Sequence, residues 1–234
     1  MSDKGKFSSF LSDVAGIIST PATTLGTLMK EKRWVPVFLL LVITIGILTY
    51  IIHPLQMKQL SEQAQATGYF SEEEASYFFS TSTFSRFMVC ALLTLVRTLR
   101  LVFGAFFVYL FYGIGGAEGE YSNYFSLVTN ASIIDILFPY LMNFFSLLSA
   151  ANIAALSKPA LLLFSPDSMS LNSFILARLD VFDIWYVIVI AAGVHVFSKM
   201  NFRKSLIISI LYFLFKAFIG VAFGFLVSQF MPRA

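Results

Sequence analysis

The chain has 234 residues, 58% of them apolar and only 12% charged, with 27 Phe, a net charge of +3 and a mean hydropathy of +0.80. A soluble domain carries about 25% charged residues. Half that share excludes a solvated surface around one core, and with it disorder, coiled coil, collagen and the ordinary soluble enzymes, leaving a polytopic membrane protein.

Residues 1–33 are predicted to form a cytoplasmic amphipathic segment ahead of the membrane domain, 34–234. Within residues 7–18, Phe7, Phe10, Leu11, Val14, Ile17 and Ile18 recur at helical spacing and Ser8, Ser9, Ser12 and Asp13 fill the other face. Thr20-Pro21 reads as a cap followed by proline at the first helical position, opening a second short helix towards Lys32. Lys30, Lys32 and Arg33 beside the membrane favour an interfacial helix on an anionic leaflet; the alternative is a helix packed under the bundle.

Five spans of about 20 residues follow. The first, 35–52, has no charged residue and lies between Trp34 and His53-Pro54. An outer loop, 53–86, comes next; in it Ser71-x-x-Glu74 is a capping-box pattern. The second span, 93–112, stops before Gly113, Gly115 and Gly116, and the third covers 124–148. A second outer loop, 150–183, contains a short apolar run at 160–164 that is either re-entrant or superficial. The fourth span is 184–200 and the fifth 206–230.

Lys and Arg set the orientation. Lys4, Lys6, Lys30, Lys32, Arg33, Lys199, Arg203 and Lys204 fall on one side in short segments, against five on the other side, mostly in long loops. The N-terminus is therefore expected in the cytoplasm and the C-terminus outside. The +3 charge is a sidedness signal, so no nucleic-acid partner is expected.

Four ionisable residues lie inside the spans: Arg97, Arg100, Asp135 and Lys216. At ~1.5 Å per residue, Arg100, Asp135 and Lys216 stand roughly 15 to 18 Å above the cytoplasmic boundary, near the midplane. Arg97, Arg100 and Gly104 share one helical face; Lys216, Gly220 and Gly224 share another, with Gly220 and Gly224 forming a GxxxG close-packing motif. Either Asp135 pairs with Arg100 or Lys216 to hold the bundle, or the cluster is a pocket whose excess charge of +2 suits an anion or a lipid headgroup. Arg97 alone can also snorkel to the outer interface.

No catalytic residue, metal site or cofactor is expected. Cys90 is the only cysteine, His53 and His195 lie at opposite membrane faces, and HExxH, Walker and GxSxG patterns are absent.

Ser19-Thr20-Pro21 ahead of Lys32-Arg33-Trp34, Gly115-Gly116 followed by the aromatic-rich run 124–132, and Phe182-Asp183-Ile184-Trp185 opening a span that ends in a basic link together resemble prokaryotic members of the Ypt-interacting-protein (Yip) domain family. The resemblance covers roughly residues 15–230. It implies a helical integral membrane protein without known catalytic chemistry, whose eukaryotic relatives are linked to Rab-type GTPases and vesicle traffic in the early secretory pathway. The acidic-aromatic-glycine-proline motif of many eukaryotic members is missing near the N-terminus, so no Rab-type partner is carried over.

The sequence therefore predicts a non-enzymatic Yip-family protein of a prokaryotic cytoplasmic (inner) membrane, membrane-organising or adaptor in role. Its expected partners are membrane lipids, with a protein partner or a second copy of the chain. The competing expectation is a transporter or lipid-handling protein built on the midplane charges. A polar cavity reaching Arg100, Asp135 and Lys216 would favour the second, and a dry, closed cluster the first.

Overall fold

The computed structural model describes residues 12–31, 33–66, 71–74, 79, 82–149 and 180–230. Among them the secondary structure is helical throughout. A first helix, α1, covers 12–19 and is followed by α2 (Pro21–Lys30), α3 (Val35–Ala66) and α4 (Thr83–Ile114). Then come α5 (Tyr121–Ser132), a π-turn over Ile133–Leu137, α6 (Phe138–Ser149), α7 (Val181–Ser198) and α8 (Phe202–Phe230). Four stretches are long and apolar enough to cross a membrane: Val35–Glu62, Thr83–Ile114, Tyr121–Ser146 and Val181–Ser198. The expected fifth span lies within the 29-residue α8.

Local chemistry accounts for most boundaries. Ser82 caps α4 by accepting from the Ser85 amide at 3.1 Å, and Asp180 caps α7 by accepting from the Phe182 amide at 2.9 Å. Glu120 and Asn123 form a reciprocal capping box at the start of α5. The Ser71–Glu74 capping box forms as well, with Glu74 Oε2 2.9 Å from both the Ser71 amide and its hydroxyl. Between α4 and α5 the chain turns through Gly119 at φ 144°, where a Cβ would meet the Phe197 ring at 2.6 Å.

The outer loop 53–86 is shorter than expected. Helix α3 runs through Pro54 to Ala66, and α4 begins at Thr83, ten residues before the expected second span. Pro54 gives up only the bond its missing N–H would have made to the Tyr50 carbonyl, a loss that membrane helices accommodate. Loop residues 150–179, with the 160–164 run, and residues 1–11 lie outside the described residues.

The described part of the N-terminal segment packs apolar residues into the bundle, while Phe7, Phe10 and Leu11 of the expected stripe lie outside the described residues and Ile18 is 36% exposed. Ile17, Leu25, Leu28 and Met29 are buried, and α2 packs on α7 so closely that a Cβ on Gly26 would meet Val196 at 2.8 Å. The reason is a stagger. Asn130, nine residues into α5, donates from Nδ2 to the Arg33 carbonyl at 3.3 Å, and Trp34 stands edge-on to Phe125 at 4.9 Å. Helix α3 thus enters the bundle about 13 Å above the start of α5 at 1.5 Å per residue. Helices α1 and α2 fill the space below it. Arg33 ties the two together through Asp13 at 3.7 Å and Glu31.

Around that end the packing is tight and several buried hydroxyls are paired, while the Tyr124 hydroxyl meets no partner among the described residues. The Tyr112 hydroxyl donates to the Ser205 carbonyl at 2.8 Å and lies 2.6 Å from Ser209 Oγ, while Ser205 Oγ donates to the Ala191 carbonyl at 2.8 Å. These bonds join α4, α7 and α8. The turn after α4, helix α2 and the α7–α8 link therefore share one end of the molecule, the end rich in Lys and Arg.

Candidate functional site: a charged cluster inside the bundle

Four helical segments bring an ionisable side chain to one height. Arg100 lies 14 residues before the end of α4 at Ile114, and Asp135 lies 14 after the start of α5 at Tyr121. Lys216 lies 14 after the start of α8 at Phe202, and Asp183 lies 15 before the end of α7 at Ser198. Each offset is about 21 Å at 1.5 Å per residue. The height match places the four groups in one layer, and the side-chain geometry closes it.

Asp135 is the hub, with 9% of its side chain exposed. Lys216 Nζ donates to both its carboxylate oxygens at 3.1 Å, and Arg100 Nη2 donates to Oδ2 at 3.2 Å. Lys216 Nζ also donates to Asp183 Oδ1 at 3.3 Å and lies 5.1 Å from the centre of the Tyr186 ring. One ammonium is thus shared between two carboxylates. Charge-assisted bonds of this kind offset the cost of holding ions away from water, but only while every member keeps its partner.

Asp135 sits in the middle of the π-turn Ile133–Leu137. The extra residue of a π-turn advances the phase of everything after it by about 100° relative to a continuous α-helix. Asn130 below it stays on the α2–α3 side, bonded to the Ser126 carbonyl at 2.8 Å and to Arg33, while Asp135 turns to α4 and α8. Such insertions recur at functional sites.

Asp183 was expected in the outer loop and not in the cluster. It lies instead in the first turn of α7, because that helix begins at Val181, level with the charged layer. A carboxylate in a first turn is favoured by the helix dipole. Its arrival changes the charge balance. Arg100 and Lys216 face Asp135 and Asp183, two against two, and Arg97 has no carboxylate partner among the described residues. The expected excess of +2 becomes +1.

Arg97 is not in the ion-paired layer. Its guanidinium lies over the Tyr140 ring, 4.4 Å from the centroid, and the Tyr140 hydroxyl is hydrogen-bonded to Thr49 on α3. Gly104 lies on the Arg100 face as expected and lets the Tyr212 hydroxyl approach: a Cβ there would be 3.5 Å from it. Gly220 is half-buried in α8, and the surroundings of Gly224 lie outside the described residues.

Beside the cluster is a cavity of about 210 Å³ between α4 and α8, floored by α5 and the π-turn. Arg100, Asp135 and Lys216 form its charged end; Phe103, Gly104, Phe107 and Val128 line much of the rest, with Tyr186 of α7 and with Tyr212, Phe215 and Ile219 on the α8 wall. Its rim is open on the outer face of the bundle: the Arg100 side chain is 49% exposed, Phe103 57% and Ile219 44%. Beside Arg100, the exposed rim residues Phe103 and Ile219 are apolar, so the opening lies on a lateral, apolar flank of the bundle.

Among the described residues, no three His, Cys, Asp or Glu side chains converge as a metal-ligand set. Cys90 donates its thiol to the Gly46 carbonyl at 3.2 Å, a packing role between α3 and α4. His53 is buried, and α3 continues past it to Ala66. Comparison with family models, with curated proteins and with solved structures returns no match for this chain.

Proposed function

We propose that this is a non-enzymatic, five-span membrane protein that organises the bilayer around it by handling a lipid-like amphiphile. The observation that carries the reading is the sideways cavity whose one end is charged and whose walls are aromatic and aliphatic. An amphiphile has the same division, and a dry, closed ion-pair cluster would have had no such opening. Helix α8, at 29 residues, is long enough to be the fifth span. The Lys/Arg asymmetry supports a cytoplasmic N-terminus and an external C-terminus, in a prokaryotic inner membrane. The resemblance to the Yip domain family fits this role.

The adaptor reading, with a protein partner at the basic end, is the second one. Arg203, Lys204 and Glu118 are exposed there and free to meet a cytoplasmic surface. Native mass spectrometry of the detergent-purified protein decides between them. Retained lipid adducts that Gly104→Leu removes support lipid handling. Adduct-free protein, with crosslinkers at Arg203 capturing one specific protein in cells, transfers the function to the adaptor.

A further inference from the structure

We infer that the cavity between α4 and α8 is a binding site for a single-chain anionic amphiphile of the long-chain carboxylate type. Its head would meet Arg100, one helical turn from the Arg97 charge, and its chain would run along Phe103, Gly104 and Phe107. The inference rests on the lipid-handling reading and specifies the ligand.

Three features of the site select this ligand. The first is donor capacity. A guanidinium carries five N–H donors, and Arg100 spends one of them on Asp135 at 3.2 Å. Among the described residues its other donors meet no acceptor, and half of its side chain opens at the cavity rim. The fork of N–H groups on arginine matches a carboxylate in two parallel bonds. The second is charge. The ion-paired layer is balanced, and Arg97, one helical turn from Arg100, is held by the Tyr140 ring and by no carboxylate among the described residues. A monovalent anion brings the whole group to neutrality, which a zwitterionic or cationic head does not.

The third is shape and depth. The lining residues of α4 follow one helical face, Arg100, Phe103, Gly104 and Phe107, so polarity falls along the groove in one direction. A volume of about 210 Å³ holds roughly seven water-sized groups. That fits a length of one acyl chain and not two. The charged end lies about 21 Å from the basic ends of the helices, inside a ~30 Å hydrocarbon layer. A large hydrated headgroup is costly there, whereas a carboxylate is small and finds its donors in place. Gly104 keeps the groove open, since a larger side chain would enter it beside Tyr212.

The test uses the full-length protein in neutral detergent and measures binding of palmitate, palmitoyl-lysophosphatidylglycerol, palmitoyl-lysophosphatidylcholine and inorganic phosphate. Palmitate should bind best and lysophosphatidylcholine least, with inorganic phosphate failing to compete. Arg97→Gln touches no ion pair, removes the uncompensated charge one turn from Arg100, and should weaken palmitate about tenfold. Gly104→Leu should abolish binding of every acyl ligand. Ile219→Trp blocks the exposed mouth without entering the packed floor, and so gives the same answer if Gly104→Leu does not fold. Equal binding of all three acyl ligands, lost in Ile219→Trp, overturns the carboxylate assignment and leaves lipid handling standing. Preference for lysophosphatidylglycerol over palmitate also overturns it, in favour of a phosphate lipid. Competition by inorganic phosphate assigns the site to a free anion. Binding of no acyl ligand, or binding indifferent to Ile219→Trp, overturns both the inference and the lipid-handling reading.

Discussion

Replacing Asp135 by Asn removes the hub of the charged layer while keeping its shape. Lys216 loses two contacts at 3.1 Å and Arg100 one at 3.2 Å. At an effective dielectric of ~20, one such pair is worth about 5 kcal/mol before desolvation is counted. Breaking a buried pair from one side costs ~3–5 kcal/mol, since the surviving charge is left without its partner. Here two circumstances favour the lower end. Lys216 retains Asp183 at 3.3 Å, and half of the Arg100 side chain is open. The expected loss is about 3 kcal/mol, read from reversible unfolding in bicelles or mixed micelles. The two partners should not contribute equally. Lys216 engages both oxygens and is 25% exposed, against a single bond and 49% for Arg100. A double-mutant cycle of Asp135→Asn with Lys216→Met should therefore give a larger coupling than one with Arg100→Met. Coupling below about 0.5 kcal/mol with both cations, the usual limit of additivity, would refute the ion-paired layer.

Further outcomes follow from single contacts. A Cβ on Gly193 would lie 2.4 Å from Leu127 Cδ1, so Gly193→Ala should destabilise by about 1–3 kcal/mol and Leu127→Ala should recover part of that in thermal unfolding. Tyr112→Phe leaves Ser209 and the Ser205 carbonyl short of a partner in a buried site, for an expected loss of about 1–3 kcal/mol in the same assay. Glu74 accepts from the Ser71 amide and hydroxyl, which holds its carboxyl below the ordinary glutamate range. The helix start it stabilises is complete above the ordinary value and is lost as pH falls through the lowered one; Ser71→Ala should raise the titration midpoint seen by carboxyl NMR. In a Cys90→Ala background, cysteines at positions 65 and 203 should react with an impermeant thiol reagent from opposite membrane sides, and reaction of both from the cytoplasm would overturn the topology.

Periodicity and composition, which are local properties, determined the helical class, the apolar runs of the spans and most of the starts and stops. The unbroken apolar stretch at 35–52 and the Ser71–Glu74 cap needed no knowledge of the rest of the chain. The layer of Arg100, Asp135 and Lys216 was also legible, since residue counts along straight helices give height. Only the tertiary structure decided what each charge meets. Asp183 stands in the stretch that opens the fourth span, but nothing local gives its height relative to the other charges; it joins the cluster because α7 starts at the height of the charged layer. The phase of Asp135 is set by a π-turn inside an otherwise ordinary apolar run, and one extra residue in a turn swings a side chain by about 100°. The same holds for the N-terminus. An amphipathic stripe specifies that a helix needs an apolar surface, and it does not specify whether lipid or protein supplies it. The stagger of α3 against α5 opened a space in the bundle, and α1 and α2 bury Ile17, Leu25 and Met29 in it, while Ile18 of the same stripe stays exposed.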